Sequence, residues 1–151
     1  MSALIQVTFD CADVRAQAEF WAAALGYVAQ PPPEGYDSWD DVLERSGIPQ
    51  EDWEKRTALV DPDGAGPRMF FQTVPEPKSA KNRVHLDIHV GVGTRGDERQ
   101  RLLDAEAARL TGLGATILWR GPAKGGSQSF ITLADPEGNE FCVERSASEH
   151  S

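Results

Sequence analysis

The chain is poor in cysteine, in clustered basic residues and in long apolar runs. Its 151 residues hold two cysteines, Cys11 and Cys142, far apart and in no CxxC pair. That excludes a disulfide scaffold, and a reducing, cytoplasmic setting is the expectation. No apolar stretch approaches the roughly 20 residues of a membrane span. The opening "MSALIQVTFD" lacks the basic start and apolar core of a signal peptide. Lysine and arginine gather only at "KSAKNR" (78–83), against a net charge of −9. Phosphate-backbone binding needs a basic face, so no nucleic-acid partner is expected. The acidity leaves cationic ligands open, but it is also ordinary solubility chemistry.

What is present is a repeat. "IQVTFDCAD" (5–13) matches "VHLDIHVGV" (84–92) in pattern. Ile5, Val7 and Phe9 take the places of Val84, Leu86 and Ile88. Gln6, Thr8 and Asp10 take those of His85, Asp87 and His89. Strict alternation gives each strand one apolar and one polar face. A helix follows each. Val14, Ala18, Trp21 and Leu25 form one stripe, with Asp13 as cap and Gly26 as stop; Leu102, Leu103, Ala107 and Leu110 form the other, stopped at Gly112 or Gly114. Short strands come next, "YVAQ" (27–30) and "ATILWR" (115–120). Then "TALVDPDG" (57–64) matches "ITLADPEG" (131–138), each a strand running into a tight turn. "RMFFQTV" (68–74) and "NEFCVER" (139–145) close the two halves.

The order is therefore βαβββ twice, an α+β fold in a single domain over 1–151. The first module spans 3–74, the linker 75–83 and the second module 84–146. Residues 31–56 interrupt the first module. They open on a proline run and predict a helix around 37–46 and a turn around 50–55, with Trp39, Val42 and Leu43 as an apolar face. Two roles stay open for this insertion: a lid over a hydrophobic edge, or a flap that shapes a pocket. Each helix needs one apolar sheet face, which leaves the opposite faces polar. A curved mixed sheet around a shared cleft is the expected outcome, with Gln6 and His85 facing each other across it.

Taken together, the paired modules, "FFQTVPEPKSAKNRVHLDIHV" and "DPEGNEFCVE" resemble the vicinal oxygen chelate superfamily, also called the glyoxalase/bleomycin-resistance/dioxygenase proteins. They look most like its actinobacterial glyoxalase-like branch. Members of that superfamily often hold a divalent metal with ligands from the first and last strand of each module. By position the resemblance puts these on Gln6, Gln72, His85 and Cys142. Gln6 and His85 fit the pattern; the other two positions are normally glutamates. Hard metals rely on anionic oxygen, and glutamine takes no proton at neutral pH. No cofactor is therefore expected, with zinc, nickel or iron as the alternative. Gln6 in place of a histidine argues against the two-histidine, one-carboxylate iron site of extradiol dioxygenases.

For the remaining residues, Thr8, Phe70, His89 and Trp119 join Gln6, Gln72, His85 and Cys142 as expected ligand-binding positions, and Phe130 as a further wall. Asp87 and Glu144 are the candidate catalytic bases. Asp87 and His89 are also candidates for a carboxylate–imidazole pair with His85, or with Thr8 across the sheet. Cys142 has no neighbour in sequence that marks it as a nucleophile. Lys81 and Arg83 stand where they could hold an anion, with an ion pair from Arg83 to Glu76 as the plain alternative. "GPAKGGSQSF" (121–130) is glycine-rich without a phosphate-loop spacing and reads as a hairpin. Two main function classes follow, beside a third possibility, a pathway accessory that binds a metabolite without turnover. One is a small-molecule-binding glyoxalase-like protein with a degenerate metal site, possessing lyase or isomerase activity if it turns over. The other is a bleomycin-type protein that sequesters an antibiotic without catalysis. A homodimer is the expected assembly, with no membrane partner.

Overall fold

A computed structural model describes residues 1–121 and 130–145. The hairpin expected over 121–130 lies, apart from its two ends, outside the described residues. The chain divides into two compact units, Met1–Pro77 and Lys78–Ser151.

The first unit runs β1 (Gln6–Cys11), α1 (Val14–Leu25), β2 (Val28–Ala29), α2 (Trp39–Arg45), a 3-10 turn (Gln50–Lys55), β3 (Arg56–Val60) and β4 (Arg68–Thr73). Its four strands order as β1-β4-β3-β2. β1 and β4 are parallel and the other pairs antiparallel. The second unit runs β5 (Asp87–Val90), α3 (Gly96–Gly112), β6 (Thr116–Arg120), β7 (Phe130–Ala134) and β8 (Glu140–Arg145). Its sheet, β5-β8-β7-β6, repeats the same order and the same single parallel pair. The α+β class and the two βαβββ modules are thus observed.

Local chemistry explains most of this. Asp13 accepts a hydrogen bond from the Ala16 amide and starts α1; Gly26, at φ 71°, ends it. Both hairpins turn on the aspartate of their Asp-Pro pair. Asp61 accepts from the amides of Asp63, Ala65 and Gly66. Asp135 accepts from the amides of Glu137 and Asn139 and from the Asn139 side chain. A carboxylate that binds its own backbone a few residues on fixes a tight turn without help from elsewhere.

Helices α1 and α3 each cover the apolar face of their own sheet. In the first unit Trp21, Met69 and Phe71 are buried, and Phe9 lies between Trp21 and Phe71 with centroids at 5.2 and 5.1 Å. In the second, Leu103, Ala107 and Leu110 are buried, as are Ile131, Leu133, Phe141 and Val143. Three expectations fail at the edges. Ile5 and Val84 are exposed, because β1 begins at Gln6 and β5 only at Asp87 and neither residue has a pairing neighbour. Leu102 stands at the margin of its stripe and is 41% exposed. Conversely, Gln17 is wholly buried beside the α1 stripe.

Candidate functional site

The polar faces are built by register. In the first module, Gln6, Thr8 and Asp10 stand opposite Arg68, Phe70 and Gln72, and β3 adds Ala58 beside Phe70 and Arg56 beside Gln72. In the second, Asp87 and His89 stand opposite Cys142 and Glu144, which in turn face Thr132 and Phe130. His85 lies two residues before β5, and the Cys142 amide donates to the Leu86 carbonyl at 2.9 Å, carrying the pairing back to that point.

The second module concentrates the reactive groups. His85 Nδ1 and Asp87 Oδ1 are 2.9 Å apart. His89 Nδ1 lies 3.7 Å from Glu144 Oε1, so His89 pairs with Glu144. Cys142 Sγ is 3.5 Å from the Thr132 hydroxyl. The ligating atoms of His85, Asp87 and Cys142 all lie within 4.8 Å of one another. Burial raises the Cys142 thiol pKa; the Thr132 contact opposes the rise, Asp87 and Glu144 add to it, and Lys81 opposes it. The thiol is therefore protonated at neutral pH. At pH 7.5, alkylation by iodoacetamide is expected to run at least about tenfold slower in the native protein than in urea. A native rate matching the urea rate would show that the thiolate is formed and accessible. Trp119 is half exposed and meets Phe130 at 5.0 Å between centroids, so these two form a wall on the same module.

Glu140 has another task. Its carboxylate accepts from the Asn82 amide at 2.9 Å and pairs with Lys78 at 3.0 Å, while Asn82 Nδ2 donates to its carbonyl at 3.4 Å. The Asn82 hydrogen bond leads the causes that depress its pKa to about 2. The "KSAKNR" cluster thus closes on β8. Lys81 Nζ donates to the Asn82 carbonyl, and Arg83 is exposed.

The first module is arranged differently. Gln6 Oε1, the atom that would face a metal, accepts from Arg68 Nη1 at 2.5 Å, and Gln6 Nε2 donates to Thr8 at 3.2 Å. Gln72 donates to Asp10 at 2.8 Å. Thr8 faces Phe70 as Asp87 faces Cys142, so register makes Phe70 the counterpart of Cys142, and Gln72 that of Glu144. Arg68 escaped the sequence reading. Two-residue alternation carried back from Gln72 through Phe70 would have placed it on this face.

The donor set itself tests the metal question. One imidazole, one carboxylate and one thiol on the second module suit zinc. They lack the several anionic oxygens that hard ions require. In the first module, Gln6 has a guanidinium rather than space for a cation at its oxygen.

A model described as "Glyoxalase-like domain" matches residues 6–144. The chain belongs to the glyoxalase-like domain family. Solved structures of the glyoxalase/bleomycin resistance/dioxygenase superfamily share its fold. A fosfomycin resistance protein, FosX, from Listeria monocytogenes, solved with Mn(II) and 1S,2S-dihydroxypropylphosphonic acid, aligns at TM-score 0.63 and 13% identity, covering 98% of this chain and 94% of its own. FosX from Mesorhizobium loti aligns at TM-score 0.60 and 11% identity, covering 97% and 94%. A glyoxalase/bleomycin resistance protein/dioxygenase family enzyme from Burkholderia phytofirmans aligns at TM-score 0.59 and 15% identity, covering 95% and 98%. No curated protein matches in sequence. Among the described residues, no helix of this glyoxalase-like chain is long and apolar enough to cross a membrane.

Proposed function

We propose that this glyoxalase-like protein binds a small molecule on its polar sheet faces and carries a degenerate metal centre. The observation that supports this best is Cys142, a protonated thiol at the rung opposite Asp87. Asp87 itself is engaged by His85. Zinc is the ion that His85, Asp87 and Cys142 would hold, and it would supply Lewis-acid polarisation of a ligand oxygen. The chain's own residues offer proton handling. With Nδ1 protonated and donating to Asp87, His85 turns Nε2 to the ligand as an acceptor. Asp87 fixes that tautomer. Glu144, beside His89, is the second carboxylate on this face.

The finer reading is a lyase or isomerase acting on an enolisable carbonyl compound, with Asp87 or Glu144 as base. The proposed binding positions are Gln6, Thr8, Phe70 and Gln72 on the first module, and His85, His89, Trp119 and Cys142 on the second. That neither cysteine is in a disulfide supports a reducing, cytoplasmic compartment, and a homodimer is part of the proposal.

Metal analysis of the purified protein is expected to find sub-stoichiometric zinc, nickel and iron; one equivalent of any of them overturns the degenerate-centre reading. The sequestering role, bleomycin-type, draws on the net charge of −9. A cationic glycopeptide drug raising the melting temperature supports it. Turnover of a 2-oxoaldehyde–thiol adduct without such a shift selects the enzyme instead. A monomer by light scattering removes the dimer.

A further inference from the structure

The insertion in the first module encloses a cavity of about 430 Å³ against the polar face of its sheet. Trp39, Leu43, Ile48 and Trp53 form the roof, and Ala58 and Phe70 the floor. This volume is within the range that holds drug-sized molecules. Both roof indoles have their N–H groups engaged within the module. Trp39 Nε1 donates to the Gln30 carbonyl at 2.6 Å and Trp53 Nε1 to the Ile48 carbonyl at 2.9 Å. The aromatic surfaces therefore present flat apolar walls without a donor of their own.

The charge in this cavity comes from Arg56 and Arg68, with Asp40 and Asp52 also in the lining. Asp52 is paired with Lys55 at 2.5 Å. Arg68 is half-buried and lies over the Phe70 ring at 5.3 Å. Two neutral amides hold it: Nε donates to Gln30 Oε1 at 2.6 Å and Nη1 to Gln6 Oε1 at 2.5 Å. Among the described residues neither Arg68 nor Arg56 forms an ion pair. The chain carries 24 acidic against 15 basic residues, so a half-buried guanidinium clamped by amides alone is conspicuous. The amides orient it and leave its charge uncompensated. A fixed, planar, uncompensated guanidinium is a receptor for a carboxylate; with Nε and one Nη1 hydrogen engaged, the Nη2 hydrogens and the second Nη1 hydrogen are its donors.

We infer that this cavity binds an arylcarboxylate, its ring between the two tryptophans and Phe70 and its carboxylate on Arg68. The site deepens the small-molecule-binding reading above and rests on it.

The test uses the full chain and two probes of equal shape, 1-naphthoate and its neutral amide, in calorimetric titrations. The carboxylate is expected to bind at least about tenfold more tightly than the amide. Arg68→Met, checked for native circular dichroism, is expected to remove that preference and bring the two probes level. Because the probe comparison is made first on the unaltered chain, it does not depend on the variant folding. Equal affinity for both probes, or a preference that survives in Arg68→Met, overturns the assignment while leaving small-molecule binding standing. If neither probe binds, the assignment falls, and the small-molecule reading falls with it only when the cationic drug gives no shift and the 2-oxoaldehyde–thiol adduct is not turned over.

Discussion

Phe71→Ala is expected to lower the unfolding free energy by about 3–5 kcal/mol, the range for removing a buried aromatic ring. Phe71 has no exposed surface and stacks on Phe9 at 5.1 Å with planes 11° apart. Phe9 in turn contacts Trp21 of α1. The ring therefore joins β4, β1 and the helix that covers them. Alanine leaves a void that only backbone movement fills, because β4 is hydrogen-bonded on both sides, to β1 and β3. Urea unfolding measures the effect as a lower midpoint with an unchanged slope. Phe71→Leu, which keeps most of the volume, is expected to lose much less. A loss below about 1 kcal/mol for alanine would mean that α1 does not depend on this stack.

Acid is expected to weaken the protein through Glu140. Its folded pKa of about 2 lies below the ordinary 4.5. The unfolded chain therefore binds this proton more readily, and the stabilisation is complete above pH 4.5 and lost as pH falls toward 2. Both partners of its ion pair are largely covered, with side chains 24% and 16% exposed for Lys78 and Glu140. Two and a half pKa units correspond to about 3 kcal/mol at most, and residual solvent contact brings the expectation to about 1–3 kcal/mol. Comparing wild type with Glu140→Gln isolates this carboxylate, since every other group titrates in both. The stability difference should be full at pH 7 and vanish near pH 2. A difference that is flat across that window would show that Asn82 and Lys78 do not hold the charged form.

The duplication was legible because alternation and capping are short-range. Asp13, Gly26 and the two Asp-Pro turns act on backbone within five residues of themselves, so their roles follow from sequence order. The helix and turn of the insertion were legible for the same reason. Its role was not: the two candidates, lid and flap, differ only in what lies beneath, and a cavity over Phe70 and Ala58 favours the flap. The carboxylate–imidazole pairing was legible in kind. His85 and Asp87, two apart on one face, do meet, whereas His89 reaches to Glu144 on the neighbouring strand. The position of Gln72 depended on register. A two-residue offset along a strand keeps the same face, so alternation alone could not choose between Phe70 and Gln72 as the counterpart of Cys142.

By itself, then, the order of residues determined the two βαβββ modules, the buried stripes and the polar faces, because those depend on periodicity and on turns that close locally. Tertiary structure alone decided which polar groups meet. Arg68 reaches Gln6 and Gln30, 62 and 38 residues away, and Glu140 meets Asn82 at a separation of 58. Such contacts require a particular strand pairing and a particular side-chain reach, and no local pattern encodes either one.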